Sequence, residues 1–452
     1  MSIEYDIGIV GAGPAGCIAA IELQKLGYKV LLVEKSVFPR FHIGFSCSPG
    51  LFHWLDVLNL RDQIAPAILG NDSKTALLWE ESQVITKENH GVSVDRGMFD
   101  QLLSQYASRL GVKIIQPVNK LQLQENKDHT WTLFLQQDHQ DLQFKVRFFV
   151  EATGRKSIIK TTKVAYLPPL NATYTFLPAS FKHSIIEAGE NGWFWGTPYK
   201  EKCLLAYFGN PSHIKSFNTV AEYLNDGLKQ LKTVNLEIPQ ALQVFSCNAS
   251  SYYDQNPVSL DHIKIGDSAY TTDPISSQGV VKAIKTAVHA SKVVHTILNR
   301  SEDAETAIDY YENLIHTDVV KNTQWINTFY SKQQHFDSSF WRQYKLPSPT
   351  PLIQEQNIQL QANDLLIINP AIIFKNTSVL GSDFIEQRQG IQLNAHENPF
   401  VFIDQILIVD LLKEVHQKSV KDIINFLYRK YTQVNPKDLF QYLISNRLLV
   451  KF

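Results

Sequence analysis

Several things are scarce or missing in the 452-residue sequence. Its four cysteines, Cys17, Cys47, Cys203 and Cys247, form no CxxC pair and no zinc-finger spacing. A disulfide framework and a thiol redox motif are therefore not expected, and neither is a metal site. No apolar run reaches the roughly 18 residues that suggest a bilayer span, so no membrane span is expected. Neither sign of charge prevails: 43 Lys and Arg face 44 Asp and Glu, a formal net charge of -1. That balance offers nothing to attract nucleic acid or an anionic membrane. Internal repeats and low-complexity tracts are absent, and no basic and then apolar leader precedes the first strand pattern. A reduced, cytoplasmic setting is the expectation. What remains, 44% hydrophobic and 11% aromatic, is a globular composition long enough for two or three domains.

One stretch dominates, Tyr5 to Lys35. An apolar run from Ile7 to Val10 reads as a buried strand that stops at Gly11. Gly13 and Gly16 complete Gly-x-Gly-x-x-Gly, a helical pattern runs from Ala15 to Leu26, and Gly27 ends it. A second strand, Lys29 to Val33, delivers Glu34. Gly11 makes the tight turn, Gly13 lets backbone approach a pyrophosphate, and Gly16 lets helix and strand pack closely. The phosphates would sit at a helix N-terminus, where unpaired N–H groups and the dipole favour anions. Glu34, about 20 residues on, has the spacing of an acid that accepts ribose hydroxyls. Three glycines alone are a weak signal, but between strand and helix, with the acid in register, they predict a dinucleotide site.

The next segment, SVFPRFHIGFSCSPG, holds Arg40, placed to meet a phosphate. It also holds His42, which reads equally as a group near a reacting ring or as a loop hydrogen-bonder. Asp95 is an N-cap for a helix carrying Phe99, Leu102, Leu103, Tyr106 and Leu110 at core spacing. Arg96, in its first turn, points at whatever the preceding strand faces. Alternating runs at 121–124, 130–136 and 142–150 predict an antiparallel meander. Its last strand closes on Ala152-Thr153-Gly154 and again brings backbone close to a ligand. Aromatic-rich strands follow from Thr161 to about Ser251. Trp193 and Trp195 share one face there, as sheet packing or as the wall of an aromatic-substrate cavity. The chain then returns with a strand at 263–265, a sharp exit at Gly266-Asp267, and a helix from Gly279 to about Leu298. A carboxylate at Asp267 repels phosphate but can accept ribityl hydroxyls. The helix N-terminus at Gly279 and Val280 suits the anionic pyrimidine edge of a reduced flavin. Together these make FAD the expected ligand.

Gly11-Ala12-Gly13-Pro14-Ala15-Gly16 with Glu34, Val94-Asp95-Arg96, Ala152-Thr153-Gly154 and Gly266-Asp267…Asp273-Pro274 together resemble the FAD-dependent monooxygenases of p-hydroxybenzoate-hydroxylase-like fold. That family includes flavin-dependent halogenases and geranylgeranyl reductases. FPRFHIG (Phe38 to Gly44) is similar to a segment that halogenases and their hydroxylase relatives share. Three features resemble flavoproteins that oxygenate a peptide-borne tryptophan in tryptophylquinone-cofactor maturation. They are Trp79 ahead of Gly91…Arg96, Ser276-Ser277-Gln278-Gly279, and SVLGSDFIE from Ser378 to Glu386.

The resemblance covers most of residues 1–345 and implies an α/β fold. A Rossmann-like FAD-binding domain (1–70, 90–160 and 255–345) would carry an inserted antiparallel-sheet substrate domain (71–89 and 161–254). It adds Pro14, Ala15, Lys35, Ala152, Gly154, Pro274 and Gln278 to the cofactor contacts already named. The implied reaction is hydroxylation of an aromatic substrate through a flavin C4a-hydroperoxide, with O2 as co-substrate. A tryptophan in a peptide or protein is one candidate substrate. Halogenation, or reduction as in geranylgeranyl reductases, is the alternative. A second Gly-x-Gly-x-x-Gly is absent, so NAD(P)H would act transiently or through a separate flavin reductase. His42, Lys74 and Pro274 are the catalytic candidates; Trp193, Trp195 and His183 are those on the substrate side.

Two departures bear on the reaction. Phe45-Ser46 stands where many relatives have Glu-Ser after His-Ile-Gly, and the spacing of Lys74 to Trp79 does not fit the halogen-carrying lysine of halogenases. GWFWGTP resembles the halogenase W-x-W-x-I-P motif, with Thr197 in place of Ile. Residues 346–394 read as linker and extension. Residues 395–452 read as a small winged-helix-like unit with a strand at 401–404 and helices from Gln405, Ser419 and Asn435. The last helix offers a single arginine, so the unit is expected to dock a peptide, a protein or a second subunit and not DNA.

Overall fold

A computed structural model describes residues 4–81, 83–178, 181–234, 243–344, 359–393 and 399–452, without the side chains of 71–73 and 89. The chain forms two compact units, Met1–Ala304 with Tyr311–Leu346, and Glu305–Tyr310 with Pro347–Phe452. The first unit holds two large sheets. One has seven strands in the order Lys113–Ile115, Val30–Val33, Tyr5–Val10, Gln140–Glu151, Trp131–Gln137 and Lys120–Glu125, with His262–Lys264 also paired to Gln140–Glu151. The pairs joining Lys113–Ile115, Val30–Val33, Tyr5–Val10, Gln140–Glu151 and His262–Lys264 are parallel. Val10 is level with Val33 and with Glu151, and Glu151 with Lys264. All the motifs that follow these strands therefore emerge along one carboxyl edge, where open α/β sheets bind ligands.

The second sheet has eight strands: Val244–Asn248, Asn171–Pro178, Lys202–Gly209, Gly192–Tyr199, Ser184–Gly189, Ile68–Leu78, Ile85–Val94 and Ser46–Cys47, in that order. Strands Ile68–Leu78 and Ile85–Val94 run beyond the expected 71–89 at both ends. Ser46–Cys47 joins it too, so the loop after Arg40 passes from the cofactor edge into this sheet. One face packs into an aromatic core with Phe45, Trp79, Trp193, Tyr330, Trp341 and Ile275. Trp193 is buried and stacks on Phe208 at 4.0 Å and 10°, which adds about 1 kcal/mol beyond area burial.

In the second unit, helices Ile408–Val415, Val420–Lys430 and Pro436–Ser445 pack around a three-stranded sheet, with Leu365–Ile368 between Lys418–Ser419 and Leu449–Lys451. Ser419 and Asn435 cap the last two helices through their side chains. The strand near Val401 is Phe402–Ile403, and the following helix begins at Ile408, after a second short strand, Ile406–Leu407. Part of the expected linker, 345–358, lies outside the described residues. The rest is a correction: 359–393 supplies the central strand, with Leu366 fully buried, and a hairpin of Ile373–Leu380 with Ile385–Gln392. Among the described residues no helix is long and apolar enough to cross a membrane.

Candidate functional site

At the carboxyl edge, Gly11 has φ +103°, and a Cβ on it would lie 2.2 Å from the Ala152 carbonyl oxygen. A Cβ on Gly16 would lie 1.8 Å from the Gly11 carbonyl oxygen. No side chain fits at either position, so the turn and helix Pro14–Lys25 close as the motif requires. Gly13 is the N-cap with Pro14 in the first turn, and no side chain caps the free N–H groups. Glu34 is buried: one carboxylate oxygen accepts the Ala12 N–H at 2.8 Å and the other the Ser36 N–H at 2.9 Å. Lys35, next along, is exposed. Arg40 reaches over Gly13, its Nη2 3.6 Å from Glu34 and 3.7 Å from Asp100, while its Nε is buried without a partner. Arg96 is buried against fully buried Asp100, with contacts of 3.2–3.3 Å to both carboxylate oxygens. Gly154 has φ +69°, and a Cβ there would meet nothing within 4 Å.

The returning segment completes the edge. Asp267 is paired with Lys282 and lies 3.6 Å from Arg155 Nε. Its pKa stays below the usual range: burial pushes it up, but the two cations outweigh that. Asp273 is buried and caps the turn Pro274–Ser276 by accepting the Ile275 N–H at 3.0 Å; the Tyr330 hydroxyl donates to its other oxygen at 3.1 Å. Burial pushes its pKa up to about 6. Ser277 follows in the left-handed region at φ +50°, and its carbonyl accepts the Ser48 N–H at 3.0 Å, so the loop after His42 touches this turn. Gln278 and Gly279 are exposed at the start of the 21-residue helix Gly279–Asn299, which has no side-chain cap and no acid in its first turn; Val280 is buried.

His42 is solvent-accessible and donates from Nδ1 to the Ile43 carbonyl at 2.6 Å. Its pKa is pushed down, first by desolvation and next by Arg96. The ring is therefore neutral at pH 7, with Nε2 as its acceptor. Phe45, at the position where an acid was expected, is buried and stacks on Tyr199 at 4.2 Å. Two expected contributors are exposed. Lys74 is exposed opposite exposed Glu88, and His183 is exposed beside it across the parallel pair in which Ser184 is level with Thr75. Trp193 belongs to the core, while Trp195 is half-buried on the same cluster.

A family model described as tryptophan halogenase matches residues 59–382, and one for an NAD(P)-binding Rossmann-like domain matches residues 9–48. The chain belongs to the tryptophan halogenase family. A tryptophan 2-halogenase of Chondromyces crocatus is 25% identical over 375 residues, covering 75% of this chain and 70% of that protein. A 1H-pyrrole-2-carbonyl-[peptidyl-carrier protein] chlorinase of Pseudomonas fluorescens is 23% identical over 382 residues, covering 72% and 84%. The fold is shared with the flavin-dependent halogenase CmlS (TM-score 0.78, 19% identity, covering 100% of this chain and 96% of that one). It is shared equally with the peptidyl tryptophan dihydroxylase QhpG (TM-score 0.77, 20% identity, covering 98% and 99%).

This halogenase-family chain is thus a FAD-dependent enzyme. Its edge fits such a cofactor on structural grounds: two uncapped helix N-termini at Gly13 and Gly279, open space at Gly154, and a buried, unpartnered Arg40 Nε beside Gly13. Sequence reading missed Asp100, Arg155, Lys282 and the Tyr330–Asp273 pair. Asp100 was within reach of it, one helical turn after Arg96, as was Lys282, three residues after Gly279. Tyr330 carries no local signal.

Proposed function

We propose that this halogenase-family enzyme hydroxylates an aromatic ring carried by a peptide or protein, with dioxygen as co-substrate and electrons from NAD(P)H, taken directly or through a separate flavin reductase. The observation that carries the reading is Lys74. The lysine nearest in sequence to the place of a halogen carrier lacks the expected spacing to Trp79, and it pairs across its strand with exposed Glu88. The likeness to a peptidyl tryptophan dihydroxylase over nearly the whole of both chains supports a peptide-borne ring.

Bound FAD supplies a reduced ring that activates oxygen. The chain's own residues do the rest. N–H groups at Gly279 and Val280 would hold the anionic edge of the ring, and Arg40 with the Gly13 helix terminus would hold the pyrophosphate. The Pro274–Ser276 turn and the aromatic face of Phe45, Tyr199 and Trp195 exclude water beside the reacting atoms. His42 offers neutral Nε2 as proton acceptor, and the second unit docks the substrate's carrier.

Halogenation is the second reading, favoured by the matching family model and by the halogenases among the relatives. Reduced, FAD-loaded enzyme given a tryptophan-containing peptide and labelled O2, with and without chloride or bromide, separates the two. Hydroxylation adds labelled oxygen to the peptide whether or not halide is present. A product that carries halogen, and forms only when halide is supplied, overturns the proposal.

A further inference from the structure

One aromatic series leads away from the Pro274 turn and ends at solvent. Tyr330 touches the turn through Asp273, with its hydroxyl 3.1 Å from the carboxylate. Its ring lies 5.7 Å from that of Trp79; Trp79 is 4.8 Å from Phe329, and Phe329 stacks on Trp325 at 5.3 Å and 13°. Tyr330 and Trp79 are buried, whereas Trp325 is 46% exposed. We propose that Tyr330, Trp79 and Trp325 form a relay that carries oxidising equivalents from the oxygen-activating site to the surface. The inference rests on the oxygenase reading above.

Proton placement sets the direction. A phenol gives up an electron readily only if its proton has somewhere to go, and Asp273 accepts the hydrogen bond from Tyr330. Its raised pKa supports that role. The indole N–H groups of Trp79 and Trp341 donate to the carbonyls of Phe329 and Gly189 at 3.0 and 2.9 Å, and an amide carbonyl does not take a proton. A positive charge passing through these buried indoles therefore does not settle there. At Trp325 the proton can leave to water, and the charge is trapped. Phe329, too hard to oxidise itself, is the bridging ring.

The oxidant is an oxygen-centred radical, RO•, formed when a peroxide ROOH that has not reached substrate takes one of the NAD(P)H-derived electrons and its O–O bond breaks to RO• and hydroxide. It takes one electron from Tyr330 and one proton from water and becomes ROH. The Tyr330 proton moves to Asp273 and returns when an electron arrives from Trp79. Trp79 is refilled from Trp325, which loses its indole proton. A thiol-class reductant in solution then returns one hydrogen atom to Trp325.

The test uses the FAD-loaded full chain, turned over in air with NADH and a flavin reductase, without substrate and with catalase to remove diffusing peroxide. Oxidised residues are mapped by peptide mass spectrometry. Oxidation is expected at Trp325 ahead of the comparably exposed Tyr428 and Tyr442. Trp79→Phe should abolish it. Phe329→Leu, which removes the bridging ring and keeps bulk, should do the same if Trp79→Phe does not fold. Trp325→Phe should leave the initial rate of NADH consumption unchanged but shorten the enzyme's working lifetime. Trp325 oxidation that persists in the interrupted variants, or that never exceeds that of Tyr428 and Tyr442, overturns the relay while flavin content stays normal. Protein that takes up no flavin overturns the functional reading beneath it.

Discussion

Asp273→Asn isolates the most perturbed carboxylate at the site. In the folded protein burial raises its pKa from 3.8 to about 6. A raised carboxylate pKa means the folded state holds a proton that the unfolded chain has released. The group's contribution is intact below pH 3.8, and stability is lost as pH climbs through 6. A shift of about two units corresponds to about 3 kcal/mol in all, of which about 1.4 kcal/mol falls between pH 5 and pH 8. Asparagine keeps the shape and can still accept the Ile275 N–H, but it does not titrate. Any hydrogen-bond loss common to both conditions cancels when urea unfolding of wild type and variant is compared at pH 5 and again at pH 8. The variant should gain about 1.4 kcal/mol on wild type between those pH values. An identical gap at both pH values would show that Asp273 does not titrate in this window. A carboxylate that the site held in its charged form would give that same unchanged gap, because it would be ionised in both states from pH 5 to pH 8.

Gly16→Ala should abolish flavin uptake, read as the flavin-to-protein absorbance ratio after gel filtration, because its Cβ would meet the Gly11 carbonyl oxygen at 1.8 Å. Arg96→Met should destabilise by roughly 3–5 kcal/mol by leaving Asp100 buried without its main partner, and adding Asp100→Asn should recover much of that in urea unfolding. Lys74→Ala should leave product formation unchanged in the peptide assay; loss of product with continued peroxide release would point to halogen transfer instead.

What was legible in the chain was local. The glycine turn, Asp95 as cap and Arg96 in the first turn are set by residues within one or two helical turns, and the structure has each in its expected conformation. Parallel pairing then places the Gly11, Ala152 and Gly266 exits on one edge, although they are far apart in sequence. The Tyr330–Asp273 bond spans 57 residues, and the Ser46–Ser277 contact 231, with no periodicity to announce either. Strand Leu365–Ile368 passed for linker because a short apolar run looks the same in both settings. Its partners, Lys418–Ser419 and Leu449–Lys451, come much later in the chain.

Phe45 shows how a departure from a family pattern is absorbed. Where the family resemblance leads one to expect an acid, the chain has a ring that stacks on Tyr199 at 4.2 Å and 30° and lies 6.0 Å from exposed Phe41, which in turn meets Phe176 at 5.7 Å. Restoring the acid by Phe45→Glu would forfeit the ring's packing, worth roughly 3–5 kcal/mol for a buried phenylalanine, and put a carboxyl group among aromatics. The variant should be destabilised by at least that much in urea unfolding, with the new carboxyl protonated at neutral pH. Its loss should grow as pH rises, because only the unfolded chain ionises freely. A Phe45→Glu protein as stable as wild type would mean that the site accepts the acid without repacking. Aromatic packing would then not be what holds this part of the edge together.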